Sequence, residues 1–268
     1  MTRTPGVTQE QKAAAFQALH IGQPFVIPNP WDAGSARVLA ALGFRALATT
    51  SSGFAFTLGR LDGGVTLDEV VAHTAVVAAA TELPVSVDLE HGYGAEPEAA
   101  ASAVTRAAEA GAVGGSIEDY DPAGRIYDRA HATERITAAA KAARAFSFPC
   151  VLTARAENHI RGNPDLDDTI ERLRAFEAAG ADVLYAPGLR TTTEIRAVCD
   201  ALAKPVNVLA RPNLSLAEIV DAGAQRVSVG GSLTWVAVDG LAAAATAIRD
   251  RGDFSVLGKS PPLADWFR

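Results

Sequence analysis

Short apolar runs alternate along the chain with longer Ala-rich segments whose apolar residues recur at helical spacing. Each run is rich in Val, Ile and Leu and has the length of a buried strand. We predict eight strands, over Phe25–Pro28, Ala46–Thr50, Val85–Leu89, Gly114–Glu118, Cys150–Arg155, Val183–Ala186, Val206–Leu209 and Arg226–Val229. Helices are predicted at 33–42, 67–81, 96–110, 131–145, 166–179, 191–202, 215–222 and 232–250. This alternation is typical of parallel βα units.

Glycines support this division of the chain. Gly43, Gly111, Gly180 and Gly223 each stand a few residues before a predicted strand, where a glycine in the left-handed conformation commonly ends a helix. Eight βα units without a linker predict one α/β domain over residues 1–268, a (β/α)8 TIM barrel. An open doubly wound sheet is the alternative, but the first strand is followed by Ile-Pro-Asn-Pro-Trp instead of a glycine-rich phosphate loop.

Composition and charge exclude several classes of protein. With 49% hydrophobic and 21% charged residues, the chain can bury a large core and is not expected to be disordered. The formal net charge of -7 disfavours nucleic acid as a partner. No membrane span or export signal is predicted, so we expect a cytoplasmic protein. Cys150 and Cys199 stand alone, and are expected to be reduced thiols.

Acidic residues collect where the predicted strands end. In a barrel the chemistry lies at the carboxyl ends of the strands, and Asp88, Glu90 and Glu118 fall there. Asp88 and Glu90 are two residues apart, so a continuous strand would point both side chains the same way. Neighbouring carboxylates raise each other's pKa or require a cation. Mg²⁺, with Mn²⁺ as the alternative, suits this ligand set, and Asp62 is expected to join its water shell.

Other polar residues at the same end are candidates for binding a substrate. Ser51, Ser52 and Gly53 offer hydroxyl and backbone N–H groups suited to a carboxylate, although an ordinary turn is the alternative interpretation. Arg155 ends a predicted strand and can form a fork on a carboxylate or enolate oxygen. Asp32 precedes a predicted helix and is interpreted as its N-cap. The roles left open for the adjacent His91 are a base, a contact to metal-bound water, or a mere neighbour.

Lysines offer no alternative chemistry. A Schiff-base aldolase needs a Lys at the active end of the barrel, and none of the four lysines ends a predicted strand. They are Lys12, Lys141, Lys204 and Lys259.

Taken together, five motifs resemble those of the isocitrate lyase and phosphoenolpyruvate mutase superfamily, over nearly the whole chain. They are Thr50–Gly53, Gly59–Asp62, Asp88–Gly94, Gly114–Asp119 and Ala154–Glu157. The resemblance implies a β/α barrel that binds Mg²⁺ and an α-oxo acid and acts through an enolate. It also implies a homo-oligomer, a dimer or tetramer, with a swapped C-terminal helix.

The resemblance further implies roles for single residues. Asp88 would be the direct metal ligand, with Asp62, Glu90 and Glu118 acting largely through water. Backbone N–H groups of Ser52 and Gly53 would hold the substrate carboxylate, and Arg155 would face the enolate. The substrate-binding candidates are Ser51, Ser52, Gly53, Arg155, Glu157 and Asn207, and the catalytic candidates are Arg155, Glu118, Tyr120 and Tyr127.

One loop departs from the family pattern. The isocitrate and methylisocitrate lyases carry a Lys-Lys/Arg-Cys-Gly-His motif there, whereas Asp119–Asp128 contains no Cys, Lys or His. This argues against those two lyases and gives no support to P–C bond chemistry. We therefore expect a Mg²⁺-dependent lyase or decarboxylase that cleaves a C–C bond of a small α-oxo or α-hydroxy (di)carboxylate, with loop 119–131 as its lid. The alternatives are a P–C bond mutase or hydrolase acting on phosphonopyruvate-like substrates, and a non-catalytic oxo-acid binder.

Overall fold

The fold is a barrel of parallel strands, seen in a computed structural model that describes residues 6–121, 123–258 and 261–267. Its strands are β1 Phe25–Ile27, β2 Leu47–Ala48, β3 Val85–Asp88, β4 Gly114–Glu118, β7 Val151–Arg155, β8 Val183–Tyr185, β9 Val206–Leu209 and β10 Arg226–Ser228, and a small hairpin supplies β5 (Tyr120–Asp121) and β6 (Arg125–Ile126). The barrel strands follow one another around the sheet in the order β1-β10-β9-β8-β7-β4-β3-β2. Between the first and last of these, the Ala48 N–H donates to the Pro28 carbonyl at 3.1 Å, which brings the two edges together.

Helices surround the barrel, and most of those in the described residues begin at side-chain caps. Asp32 caps α2 by accepting from the Ser35 N–H at 2.7 Å, which confirms its predicted role. The helices are α1 Gln9–Leu19, α2 Ala33–Ala41, α3 Ser51–Thr57, α4 Leu67–Ala80, α5 Pro97–Glu109, α6 Arg129–Ala143, α7 Leu166–Ala178, α8 Thr192–Asp200, α9 Leu216–Asp221, α10 Ser232–Arg251 and α11 Leu263–Trp266, with a 3₁₀ turn at Ser255–Gly258.

The predicted TIM barrel is confirmed, and the open sheet is wrong. Each predicted strand is present, shorter by one to three residues in six cases and unchanged at Gly114–Glu118 and Val206–Leu209. Gly43, Gly111, Gly180 and Gly223 all have φ between 89° and 108°, as expected for helix-ending glycines. The pattern did not predict α1, α3 or the small antiparallel hairpin of β5 (Tyr120–Asp121) and β6 (Arg125–Ile126).

The two ends of the barrel differ in polarity. Near the amino ends of the strands, Phe16 of α1 packs against an apolar cluster that includes Phe25, Val113 and Val151. The carboxyl ends instead carry the buried polar residues Asn29, Glu90, Glu118 and Glu157. The apolar end supplies a rigid base, so the polar end can hold charged groups in fixed positions.

Two further predictions concern membrane spans and the state of the cysteines. In the parts of the chain that the structure describes, no helix is both long and apolar enough to cross a bilayer. Cys150 is buried and Cys199 is half-buried, and both are free thiols.

Candidate active site

A cavity of about 280 Å³ opens at the carboxyl ends of the strands and continues down into the barrel interior. We call it the barrel cavity. A second space of about 340 Å³, the side cavity, lies beside it towards β4 and the hairpin. Ser51, Asp62, Arg155 and Arg161 line both. Charged groups from several strands therefore face one connected space, as the sequence predicts for a barrel of this kind.

Arg155, the last residue of β7, stands at the centre of the site. Its guanidinium donates to Asp88 Oδ1 at 3.0 Å and to Glu157 Oε1 at 2.8 Å, and lies 3.0 Å from Glu118 Oε2. Burial by itself would lower the pKa of Arg155, but the charges of Glu157, Glu118 and Asp88 outweigh it and raise that pKa. One fixed cation thus orients three carboxylates.

Asp88, at the end of β3, is held on both sides. Oδ1 accepts from Arg155, from the Ser116 hydroxyl at 3.3 Å and from the Glu90 N–H at 3.3 Å. Oδ2 faces the Ser51 N–H at 3.4 Å, a long contact. The carboxylate is therefore fixed through Oδ1, while Oδ2 is the oxygen with the weaker protein partner.

Glu90 reaches the site by a different route from the predicted one. β3 ends at Asp88, so the expected alternation along a continuous strand is wrong. Glu90 instead lies in a turn with φ of 48°, a left-handed conformation that non-glycine residues rarely adopt and that recurs at functional sites. Burial, together with repulsion from Asp88 and then Asp62, raises the pKa of Glu90 to about 7. The turn keeps Glu90 close to the other acids.

Glu118 ends β4 and lies almost fully buried between the two guanidinium groups of the site. Oε2 is 3.0 Å from Arg155, and Oε1 is 3.8 Å from Arg161. Burial raises the pKa of Glu118 well above its usual range, repulsion by Glu157 and Asp88 raises it further, and Arg155 opposes this rise. The predicted convergence of Asp88, Glu90 and Glu118 at one end of the barrel is therefore present.

The chemistry of these donors fits a divalent cation held mainly through water. Asp62, Asp88, Glu90, Glu118 and Glu157 face the two connected cavities, against the guanidinium groups of Arg155 and Arg161. Within the described ranges, no three His, Cys, Asp or Glu side chains are grouped as joint ligands of one ion. Mg²⁺ needs only one or two direct carboxylates and keeps several waters, so the donor set and its excess negative charge suit this ion.

The segment after β2 is a short helix and not the ordinary turn of the alternative interpretation. Ser51 and Ser52 begin α3 and line the barrel cavity. Gly53 does not line it, because its buried N–H is directed at the Thr50 hydroxyl, 3.4 Å away, as part of the helix cap. A side chain at Gly53 would clash, since an added Cβ would lie 2.6 Å from Thr234 Oγ1. Gly53 therefore supports the cavity wall from behind, and its predicted contact to a substrate carboxylate stays a prediction.

The two tyrosine candidates are separated by the fold. Tyr120 lines the side cavity, and its ring lies under the Arg161 guanidinium at 3.9 Å from ring centroid to Cζ. Tyr127 packs instead against Arg135 and His131, and it lines neither cavity. The hairpin of β5 and β6 turns Tyr120 inward and carries Tyr127 away, so the predicted catalytic role of Tyr127 has no geometric support. Pro122, within this loop, lies outside the described residues.

The remaining candidates also differ in whether they line one of the two cavities. Glu157 lines the barrel cavity, but its oxygens already accept from Arg155 and, at 3.2 Å, from Arg161. Asn207 lines the cavity from below, where it contacts Arg226 and Ser228. His91 faces the side cavity, and burial lowers its pKa. Of the lysines, Lys12, Lys141 and Lys204 line neither cavity, and Lys259 lies outside the described residues.

Three residues of the site were not predicted. Asn29 joins the strand ends, because its Oδ1 accepts from the Val229 and Gly230 N–H groups at 3.0 and 2.9 Å. Its position directly after the first strand was the available signal. Arg161 follows Glu157 by four residues, a spacing suited to an ion pair. Arg226 begins β10 and reaches the barrel interior, and nothing in its local sequence distinguishes it.

Comparison with known proteins places this geometry in a family. The family model described as phosphoenolpyruvate phosphomutase matches residues 16–249. The uncharacterised protein Rv1998c of Mycobacterium tuberculosis is 35% identical over 247 residues, covering 92% of each chain. An oxaloacetate decarboxylase of Rhodopseudomonas palustris is 30% identical over 259 residues, covering 89% of this chain and 85% of the relative.

Solved structures with the same fold were also found. A protein from Burkholderia cenocepacia J2315 superposes with a TM-score of 0.93 at 50% identity, over 97% of this chain and 96% of that one. A phosphonopyruvate hydrolase, solved with oxalate and Mg²⁺, shares the fold with a TM-score of 0.84 at 21% identity, over 95% and 93% of the two chains.

Proposed function

This chain belongs to the phosphoenolpyruvate mutase and isocitrate lyase superfamily, and we propose that it is a Mg²⁺-dependent lyase or decarboxylase of a small α-oxo or α-hydroxy (di)carboxylate. Members of the superfamily include lyases, decarboxylases and hydrolases of oxo acids. The observation that carries the proposal is the convergence of five carboxylates on Arg155 and Arg161 at the open end of the barrel. Such a site carries more negative than positive groups, and a divalent cation would offset the excess.

Residues of this chain can hold the ion in the way the family resemblance implies. Asp88 would bind it directly, and Asp62, Glu90 and Glu118 would bind its waters. When bound, Mg²⁺ supplies a Lewis acid that polarises the oxygen next to the scissile bond. The hydrolase structure solved with oxalate and Mg²⁺ supports this combination of ion and small carboxylate.

The rest of the chemistry falls to the protein. Arg155, aligned by three carboxylates, stabilises the negative charge that develops on the enolate oxygen. Ser51 and Ser52 offer hydroxyl groups to the substrate carboxylate at the start of α3. Tyr120 is the loop hydroxyl on the side cavity, so it or a water held there would return a proton to the enolate.

The loop supports decarboxylation or retro-aldol cleavage more than thiol-dependent protonation. Cys150 and Cys199 line neither cavity. Burial first, and a neighbouring carboxylate second, raise the pKa of each to about 11, so neither is poised as a thiolate. A lyase that protonates its product from a cysteine has no group for that step in the described residues.

A substrate screen tests the proposal. We would incubate the protein and Mg²⁺ with oxaloacetate, a series of alkylmalates and phosphonopyruvate, and follow the products by proton NMR. We expect turnover of an oxo or hydroxy dicarboxylate and its loss with a chelator. Phosphate release or isomerisation from phosphonopyruvate alone would establish P–C chemistry instead. Binding without product would identify an oxo-acid binder.

We also propose a homo-oligomer. Helix α10 exposes Trp235, Val236 and Leu241, and the segment after it exposes Phe254 and Leu257. Large apolar side chains grouped in this way mark a surface that another chain covers. A second copy with its C-terminal helix exchanged would cover them, and light scattering coupled to gel filtration measures the mass.

A further inference from the structure

Arg226 is a buried cation that pairs with no carboxylate among the described residues. It is 5% exposed and lies inside the barrel, where it lines the lower part of the barrel cavity. Nε donates to Asn207 Oδ1 at 2.8 Å, and Nη2 donates to Thr153 Oγ1 at 2.9 Å. Its third partner, His20 Nε2, lies 3.2 Å from Nη1. All three partners are polar side chains without a negative charge.

The His20 contact is that of a neutral imidazole. A guanidinium can only donate, so His20 Nε2 must accept and carry no proton. The proton is then on Nδ1, which lies 2.8 Å from the Phe16 carbonyl and donates to it. Burial and the charge of Arg226 both oppose a second proton, and the pKa of His20 falls to about 3.

The charge of Arg226 is therefore uncompensated. Burial lowers the pKa of Arg226 to about 10, and among the described residues Tyr185 is the one ionisable group that opposes this shift. A guanidinium remains protonated at neutral pH even so. Burying such a charge is costly unless an anion pairs with it, and three of its five N–H groups are used by the contacts above.

The position of Arg226 suits the far end of a bound acid. Arg226 contacts Thr153, which precedes Arg155 by two residues on β7 and faces the same side of the strand. Thr153, beside Arg226, and Arg155, at the mouth, are therefore about 7 Å apart along the strand. Tyr185 lines the same cavity, with its ring centroid 5.3 Å from the Arg155 guanidinium carbon and its hydroxyl bonded to Ser228. Both arginines line this one cavity, so a single ligand can face both.

We propose that Arg226, with Asn207, Thr153 and Ser228, forms a carboxylate subsite that holds the distal carboxylate of the substrate. This inference rests on the proposed function, because the oxo-acid or hydroxy-acid end of the same molecule would lie at Arg155. It makes the substrate a dicarboxylate of four or five carbons and gives Arg226 the role of selecting it. An anion there would also accept hydrogen bonds from the two remaining N–H groups.

Calorimetry on the wild-type protein with Mg²⁺ tests the inference without any variant. The probes are oxalate, malate in both enantiomers and 2-hydroxybutyrate, which has the carbon chain of malate but a methyl group in place of the distal carboxylate. We expect the better malate enantiomer to bind about 30-fold or more tightly than 2-hydroxybutyrate, as suits a charge-assisted hydrogen bond. Equal affinities would overturn the subsite.

Variants then assign the effect to Arg226. In Arg226→Gln we expect malate to bind no better than 2-hydroxybutyrate, while oxalate, which is too short to reach the subsite, keeps its affinity within twofold. Arg226→Lys should restore part of the malate preference. Arg144→Gln is the matched control, because Arg144 pairs with Asp182 outside both cavities and its loss should leave the preference intact.

The outcomes separate this inference from the proposed function. Equal losses for all three ligands in Arg226→Gln would make Arg226 a structural residue of the barrel and overturn the subsite. Turnover in the substrate screen together with no malate preference would overturn the subsite and leave the function standing. A malate preference that depends on Arg226, without turnover of any substrate, would support the subsite and contradict the lyase.

Discussion

Two arginines, one layer apart in the same barrel, have opposite electrostatic surroundings. Arg155 at the mouth contacts Asp88, Glu118 and Glu157, which raise its pKa. Arg226 in the interior contacts neutral groups, and burial lowers its pKa. The same side chain organises carboxylates in one place and lacks them in the other. The mouth is thus prepared for a cation, and the interior for an anion.

This difference indicates how the site divides its work. The mouth carries more negative than positive groups, so a divalent cation relieves the repulsion that, after burial, helps to raise the pKa of Glu90 to about 7. The interior carries an unpaired guanidinium, so it gains from a carboxylate. A ligand that brings a cation to the mouth and a carboxylate to the interior compensates the excess charge in both places. We expect neither part alone to account for substrate selection.

Removing the guanidinium at the mouth should have the largest effect. Arg155→Gln deletes the group that faces the enolate and leaves three carboxylates without their shared cation. We expect kcat/KM for the substrate found in the screen to fall about 10³-fold. Arg144→Gln is the matched control, because Arg144 pairs with Asp182 outside both cavities and its loss should leave kcat/KM unchanged. Retention of a tenth of the activity by Arg155→Gln would contradict the assignment.

Metal binding should stabilise the mouth and not the interior. A ligand at 100 times its dissociation constant raises the free energy of unfolding by about 2.7 kcal/mol. We expect Mg²⁺ to raise the melting temperature of the wild-type protein, and Asp88→Asn to abolish that rise. Arg226→Gln should keep the rise, because Arg226 lies away from the acids. Scanning calorimetry with and without Mg²⁺ measures this, and an unchanged response in Asp88→Asn would exclude Asp88 as a ligand.

The smallest expected effect is a pH-dependent change in the free energy of unfolding, caused by His20 beside Arg226. The pKa of His20 is about 3 in the folded protein and about 6.5 in the unfolded chain, so the unfolded chain binds more protons between these values. The contribution of His20 to the free energy of unfolding is therefore complete above pH 6.5 and is lost as the pH falls towards 3. His20→Gln should remove that part of the acid destabilisation, at most about 1.4 kcal/mol per pH unit.

Urea unfolding of both proteins across this range, with a chelator present, makes the comparison. The acids at the mouth act in the opposite direction, because the pKa of Glu90 is raised and the folded state takes up protons there as the pH falls. Subtracting the His20→Gln curve from that of the wild type removes this contribution. Parallel curves would show that His20 is not held neutral.

Local patterns in the sequence were sufficient for the fold. Each predicted strand and each predicted helix is present to within three residues, because buried strands and amphipathic helices have distinct periods. The same patterns placed Asp88, Glu118 and Arg155 at strand ends. Glu90 was assigned to the site for the wrong reason, since the turn after Asp88, with φ of 48°, and not strand alternation, brings it there.

Other features depended on contacts between distant parts of the chain. Gly53 and Tyr127 have suitable chemistry near strand ends, yet the Gly53 N–H is directed at the helix-capping Thr50 hydroxyl and Tyr127 packs against Arg135. Arg226 has no local motif, and its role emerges only because β7 and β9 bring Thr153 and Asn207 to its guanidinium. Periodicity reports which way a side chain faces along its own element, but it does not report which groups meet across the barrel.

The sequence by itself therefore determined the barrel, its polar end and the acids that gather there, because these follow from the order and period of neighbouring residues. The tertiary structure decided which of those groups share a cavity and which charge inside it has no partner. That division has a physical reason: burial and pairing depend on distances between residues far apart in the chain, and those distances exist only once the barrel has closed.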